Sequence, residues 1–463
     1  MTCLFRYTGA GYAPWLAACA ALVAGCASVP PGDGFGGVTQ VARERLGQQA
    51  RLVQAGDDER ALARLVDARL AAPLQADDAV QIALLNNRAL QAAYWDVGIA
   101  RADLVQAARL PNPGFSFQRT RAGSDVDVER ALGLNFIALL TAPLASRIEA
   151  GRFEQTQLLV AARMLQHAAA ARSAYVEAVA AVQGAAYAGQ VDTAAQLSAD
   201  LTARMVKAGN ASALELAREQ AFQAESAAAL TRANDTAAAT RETLARAMGL
   251  PDSAFRLPDR LPDLPPAALT LQDVEGIALR DRLDVRAAQL GAAHTAARLG
   301  LSRATRFINV FDIDYVRNGK GGETTAPGYA VRLELPLFDW GSARVAKAEA
   351  LYMQDVNRVA QAALDARSEA RQGYRAYRSA YDLARHYRDQ VIPLRKKISD
   401  ETMLRYNGML VSVFQLLADA REQASAARGY IDALKAFWLA QANLEQALGG
   451  RLPPATIPTK GTP

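Results

Sequence analysis

Apolar positions recur at helical spacing along most of the chain, and only a few short windows alternate. Val80, Ile82, Leu84 and Leu85 lie on a helical repeat that predicts an opening helix over about 76–109, with a second over about 271–304. No proline occurs between Pro143 and Pro251, and Pro393 alone interrupts the span from Pro336 to Pro453. A helix over about 146–208 would be roughly 95 Å long, which no compact globule accommodates. The pattern therefore predicts a shaft of antiparallel coiled-coil helices. Elsewhere Tyr329, Val331, Leu333 and Leu335 alternate with Ala330, Arg332 and Glu334. Before them Phe307, Phe311, Ile313 and Tyr315 oppose Asp312 and Asp314, and in the first half Phe115 and Phe117 oppose Ser116 and Gln118. Strands are expected at about 113–121, 131–140, 307–317 and 329–337. Two such hairpins suit a wall with one face toward lipid and a polar lumen on the other, where Asp312, Asp314, Arg332 and Glu334 would face.

The plan occurs twice. Leu74–Ala93 matches Leu269–Ala288 at an offset of 195, through Leu74/Leu269, Asp78/Asp273 and Ile82-Ala83-Leu84/Ile277-Ala278-Leu279. Later the offset is 200, and Glu242–Gly249 faces Ala442–Gly449. The period is too long for a solenoid and implies two similar lobes side by side. The expected organisation is a first repeat over 74–250, a proline-rich connector over 251–268, a second repeat over 269–450 and a disordered tail over 451–463.

Composition narrows the class. Hydrophobic residues make up 51% and aromatics only 7%, with much of the apolar share alanine, so slender helices in close contact are expected. The formal charge of +5 is small beside 52 basic and 47 acidic residues, and no basic block interleaved with aromatics supports nucleic-acid binding. Arg6 precedes a short apolar stretch over Pro14–Ala24, and Val23-Ala24-Gly25-Cys26 resembles a bacterial lipobox. A signal peptide over 1–25 and acylation of Cys26 are expected, followed by an N-terminal tether over 26–73. With Cys3 and Cys19 removed, no disulfide or cysteine metal site is expected. His167, His294 and His386 stand alone on predicted helices without a second ligand at metal spacing, and Gly319-Lys320-Gly321-Gly322 lacks the strand-to-helix context of a phosphate loop. No catalytic residue, metal or cofactor is expected. Four strands in lipid would leave two open edges, with each unpaired backbone group costing several kcal/mol, so oligomeric closure follows from physics alone.

These residues resemble the outer-membrane factor (TolC-like) efflux proteins, and their lipoprotein branch in particular. The marks are Leu335-Pro336-Leu337-Phe338-Asp339-Trp340-Gly341, then Arg405–Ser412 running on through Leu416–Arg421, and Ala447-Leu448-Gly449-Gly450. The resemblance implies a homotrimer whose twelve strands close one barrel in the outer membrane. Below it a helical α-barrel would cross the periplasm to a periplasmic adaptor protein and an inner-membrane pump. It also implies an adaptor-docking tip at Gly209, Asn210, Ala211 and Ser212 and at Gly408, Met409, Leu410, Val411 and Ser412. The family usually has glycine where Met409 stands, and often aspartates at Gln415 and Ala418; here Asp419 lies one residue beyond. Glu215 is equivalent to Gln415 under the duplication, with Arg218 one turn on, so the gate candidates are Glu215, Arg218, Gln415 and Asp419. The alternative is a pore-less periplasmic coiled-coil lipoprotein scaffold. The transported substrate is not legible, because selectivity would sit in the pump.

Overall fold

The computed structural model describes residues 34–54, 56–307, 310–320, 325–450 and 452. The expected signal peptide, Cys26 and nearly all of the expected tail lie outside them. The described residues are mainly helical with one four-stranded antiparallel sheet. The helices are α1 (Gly36–Val41), extended by a π turn over Ala42–Leu46, α2 (Asp57–Leu70), α3 (Ala76–Asn86), α4 (Arg88–Ala108), α5 (Phe136–Lys207) and α6 (Ala213–Met248). The second half supplies α7 (Val274–Asp281), α8 (Leu283–Ala304), α9 (Ser342–His386), α10 (Ile392–Asn407) and α11 (Val413–Ala447). The strands are β1 (Gly114–Ala122), β2 (Asp125–Asn135), β3 (Phe311–Lys320) and β4 (Ala326–Leu333).

The repeat has a shared joint. Each expected opening helix is broken in two, at Asn87 and at Arg282, where ψ swings to 116° and 126°. Into each break fits the glycine that ends the repeat. Gly249 and Gly449 have left-handed φ of 72° and 78°, and a Cβ there would lie 2.7 Å from the Asn86 carbonyl oxygen or 2.8 Å from that of Asp281. Only glycine satisfies both the backbone sign and the approach. The chemistry around the two joints differs. Asn87 caps α4 by accepting from Leu90 N–H (3.0 Å) and donates to the Ala247 carbonyl (3.2 Å), whereas Arg282 pairs with Asp284 at 2.6 Å and with Glu369.

α5 is 72 residues long, about 108 Å at the standard rise, and begins ten residues earlier than expected. It runs through Pro143, the Thr141 hydroxyl donating to the Ile137 carbonyl at 2.8 Å in that turn. α5 lies along α6 on one side and α11 on the other, and α11 packs on α9 and α10. The α9–α10 shaft has a π turn at Tyr387–Val391, immediately before Pro393, whose missing N–H interrupts the ladder. Among the described residues no helix is long and apolar enough to cross a membrane.

Three expectations are corrected. β2 spans 125–135 rather than 131–140: a two-residue turn at Gly123-Ser124 pairs Ala122 with Asp125 and pins the register. Phe136–Leu140 are helical because the Asn135 side chain caps α5, accepting from Ala138 N–H at 2.7 Å. β3 and β4 pair over 311–320 and 326–333, three or more residues off the expected starts, and the Leu335–Gly341 motif lies beyond the strand. The span over 34–73, expected as tether, is folded. Phe35, Val38, Ala42, Ala50 and Leu52 are buried in one core with Tyr94 and Met164. Two glutamines fasten it: Gln49 N–H donates to Gln81 Oε1 (2.9 Å), and Val53 N–H donates to Gln91 Oε1 (3.0 Å). Arg45 donates to the carbonyls of Asp281, at 2.6 Å, and Gly449, so this segment also clasps the second joint. The connector is likewise packed: Phe255, Leu261 and Leu264 are buried, and Trp438 donates to the Pro262 carbonyl at 3.0 Å.

Candidate functional site

Three stations along the shaft and sheet carry polar chemistry: the two turns between long helices, a polar seam just above them, and the two faces of the sheet.

The turns share one backbone. After α5, Gly209 N–H donates to the Val206 carbonyl and Asn210 N–H to Met205, at 3.0 and 2.8 Å. After α10, Met409 N–H donates to Tyr406 and Leu410 N–H to Arg405, at 2.9 and 2.8 Å. This is the paired bonding of a Schellman ending, and its left-handed residue is Gly209 (φ 77°) in one turn and Met409 (φ 58°) in the other. Ser212 and Ser412 then cap α6 and α11 by accepting from Glu215 N–H (3.2 Å) and Gln415 N–H (3.3 Å). The first turn is polar, with Gly209, Asn210 and Ser212 exposed and Ala211 half-buried. In the second, Gly408, Met409, Leu410 and Ser412 are exposed and Val411 is half-buried, Met409 being 94% and Leu410 77% exposed.

Glu215 is a capping residue. Its carboxylate accepts from Ser212 N–H (2.7 Å) and from the Ser212 hydroxyl (2.9 Å), completing a capping box. Ser212's backbone and side-chain donors hold that carboxyl below the usual glutamate range, and Arg218 adds only a weaker pull at longer range. Arg218 and Gln415 are exposed, and the structure does not bring Arg218 into an ion pair with Glu215. The spacing Ser212-x-x-Glu215 is the sequence signal for this role.

A part-buried ion pair lies one turn further on. Glu219, on α6, is 4% exposed; it pairs with Arg421 of α11 and accepts from Ser198 of α5 at 2.6 Å. The Arg421 guanidinium also stacks 4.3 Å from the Phe222 ring centroid. The salt bridge and the Ser198 hydrogen bond together tie three long helices from both halves of the chain. Around it the seam is polar: Asp192, Ser198, Thr202 and Ser226 are buried, and Asp192 Oδ1, Thr202 Oγ1 and Asp419 Oδ2 are enclosed without a hydrogen-bond partner. Asp419 occupies in the second repeat the place of Glu219 in the first. Neither Glu219 nor Arg421 was among the expected gate residues, since nothing local marks a partner 202 positions away. Above the pair, a cleft of about 830 Å³ opens between α6 and α11, floored by Ala180, Ala181, Gly184 and Ala188 of α5.

The sheet order is β1-β2-β3-β4, so the β2–β3 ladder joins the two repeats and β1 and β4 are its edges. Register puts Phe115, Leu132, Tyr315 and Tyr329 in one row and Leu134, Ile313 and Val331 in the next, all exposed on one face. The other face carries Asp312, Asp314 and Arg332, the guanidinium lying 3.7 and 3.9 Å from the two carboxylates. A Cβ on Gly133 would lie 1.9 Å from Asp314 Oδ1, so glycine there makes room for this acid. Glu334 follows β4 and donates its N–H to the Val310 carbonyl at 3.2 Å. Of the histidines, His167 Nε2 lies 3.0 Å from the Ala247 carbonyl, and burial lowers its pKa; His294 abuts Gly151.

A slender helical shaft, duplicated within the chain and crowned by a four-stranded antiparallel sheet with open edges, is the fold of bacterial outer-membrane channels. Solved structures with this fold include the outer-membrane channel OprN, with a TM-score of 0.69 and 19% identity over 92% of this chain and 98% of that one. CusC, described for conformational changes accompanying folding and transmembrane channel formation, gives 0.68 and 17% over 81% and 92%. The open state of the Neisseria gonorrhoeae MtrE outer membrane channel gives 0.68 and 20% over 84% and 89%. No family model matches the chain, and no curated protein matches it.

Proposed function

We propose that the chain is one subunit of a homotrimeric outer-membrane efflux channel, a passive duct from periplasm to exterior. The observation that carries this reading is the sheet. One face exposes Phe115, Leu132, Tyr315, Tyr329 and Val331, and both edges are unpaired among the described residues. A soluble protein would cover such a face, and lipid would not tolerate such edges. Three copies joined edge to edge give a closed twelve-stranded wall, apolar outside, with Asp312, Asp314, Arg332 and Glu334 toward the lumen. The long helices then continue the wall as an α-barrel in the periplasm.

At the far end the turns around Gly209 and Met409 meet a periplasmic adaptor protein, which couples the duct to an inner-membrane pump. Exposed Met409 and Leu410 give that partner an apolar contact. The Glu219–Arg421 pair moors α11 to α5 and α6, holding the periplasmic mouth narrow at rest. Cys26 carries the lipid anchor. One acyl-bearing cysteine adds membrane affinity without being needed to span, because the strands do that.

The test is extraction. Cys26→Ser protein that still reaches the outer membrane remains inserted as a detergent-stable trimer if the strands form a barrel. A pore-less rod held only by its lipid washes out as this variant. A stable monomer with intact strands contradicts the proposal.

A further inference from the structure

The apolar face of the sheet changes character along its length. Nearest the helices the rows are Phe311 with Leu333, then Leu134, Ile313 and Val331, then Phe115, Leu132, Tyr315 and Tyr329. Tyr315 and Tyr329 are register partners with ring centroids 5.8 Å apart. The next row toward the hairpin turns holds Phe117, Arg130, Arg317 and Pro327; beyond it Arg119 faces Val128, and Arg121 faces Val126. By strand alternation these four arginines share the face of the apolar rows. All four are exposed, and none is ion-paired with an acid among the described residues.

The sheet's acids lie elsewhere. Asp125, Asp127 and Glu129 of β2 and Asp312 and Asp314 of β3 fall on the opposite face by the same alternation. The strands thus segregate charge by side: every described acid faces inward, and outward there are only cations. Arg130 and Arg317 are also directly opposite each other in the β2–β3 register. Like charges so placed repel, and an arginine on a barrel's outer face is costly if it sits at mid-membrane. Both penalties disappear where the cations meet a layer of anions. The tyrosine pair just below marks that level, since tyrosine gathers where lipid meets water.

We propose that Arg119, Arg121, Arg130 and Arg317 bind phosphate groups of lipid headgroups in the outer leaflet and so fix the depth of the barrel. The inference rests on the channel reading, which puts the hairpin turns on the exterior side. The guanidinium fork matches phosphate oxygens in pairs, and the Arg130–Arg317 couple can grip one phosphate from both sides. The patch continues the lipid-facing surface without a break, which favours a headgroup over a soluble anion.

The test uses the full-length protein in phosphatidylcholine nanodiscs containing a small fraction of bisphosphorylated lipid A. The lipid A retained per trimer is counted by mass spectrometry. Arg130→Gln/Arg317→Gln should lower retention about tenfold, as expected for the loss of charge-assisted hydrogen bonds. Substituting all four arginines by glutamine should abolish the excess over bulk lipid, while Arg332→Gln on the other face should leave it unchanged. Dephosphorylated lipid A should be retained no better than phosphatidylcholine. Equal retention by the fourfold variant, or equal retention of dephosphorylated lipid, overturns the proposal. Complete displacement by excess inorganic phosphate also overturns it, in favour of a generic anion site. Trimer stability and protease protection in plain phosphatidylcholine are read separately. If wild-type protein fails there, the channel reading falls and takes this proposal with it. If only lipid A selectivity fails, the channel reading stands.

Discussion

The turn at Gly209 and the turn at Met409 have the same hydrogen bonds, a left-handed residue at the same position and the same serine cap, yet they present different surfaces. One is small and polar; the other exposes a methionine and a leucine. The stations above them diverge in the same manner. Glu219 is buried and paired across the repeats, while Asp419, its counterpart, has an enclosed oxygen with no partner. The two turns keep what the backbone requires and differ in the side chains they carry. On the proposed trimeric reading, three copies would offer alternating contacts around a ring, six turns of two kinds.

Breaking the pair around buried Glu219 should have the largest effect. Arg421→Met leaves Glu219 enclosed without its cation and should destabilise the lower shaft by about 3–5 kcal/mol, raising resting conductance in planar bilayers. Combining it with Glu219→Gln should restore most of that loss. Asp419→Asn, at the equivalent place, should stay within about 1 kcal/mol. The joints should respond alike. Gly249→Ala and Gly449→Ala each force a Cβ against backbone at positive φ, and each should cost roughly 2–3 kcal/mol in denaturant unfolding.

Smaller effects separate the turns themselves. Ser212→Ala should cost about 1 kcal/mol, and Ser412→Ala no more than that. Glu215 makes the first cap pH-dependent. Its carboxyl is depressed in the fold, so its contribution is full above the ordinary glutamate range and disappears as pH falls through the lowered value. Gln415 confers no such dependence, and hydrogen exchange at the two turns in mild acid would read the difference. The smallest change has opposite sign in the two repeats. Met409→Gly relieves a left-handed side chain and should stabilise by up to about 1 kcal/mol, whereas Gly209→Ala should lose a similar amount. If Met409 serves docking, Met409→Gly should nevertheless weaken cross-linking to the adaptor.

Much of this was legible in the chain. The alternation of β4 and of the first half of β3, and the long helices, follow from local periodicity. Strand β2 did not, because Asp125, Asp127 and Glu129 read as loop while the apolar run at Phe136–Leu140 is equally compatible with strand or helix. The folded segment over 34–73 depends on Gln81, Gln91 and Asp281, far along the chain, so its composition suggested a tether. The Glu215 cap was available in Ser212-x-x-Glu215 and was outweighed by the expectation of a gate residue. Glu219 and Arg421 were invisible for a different reason: the burial of Glu219 and its pairing exist only once α6, α5 and α11 lie side by side.

The central claim is that three copies of this chain enclose a pore. Purified full-length protein reconstituted in planar bilayers tests it most directly, with the wild-type conductance compared against Arg421→Met. The account predicts discrete steps that are small in the wild type and larger in the variant. Protein that assembles and inserts yet passes no current in either form would contradict it.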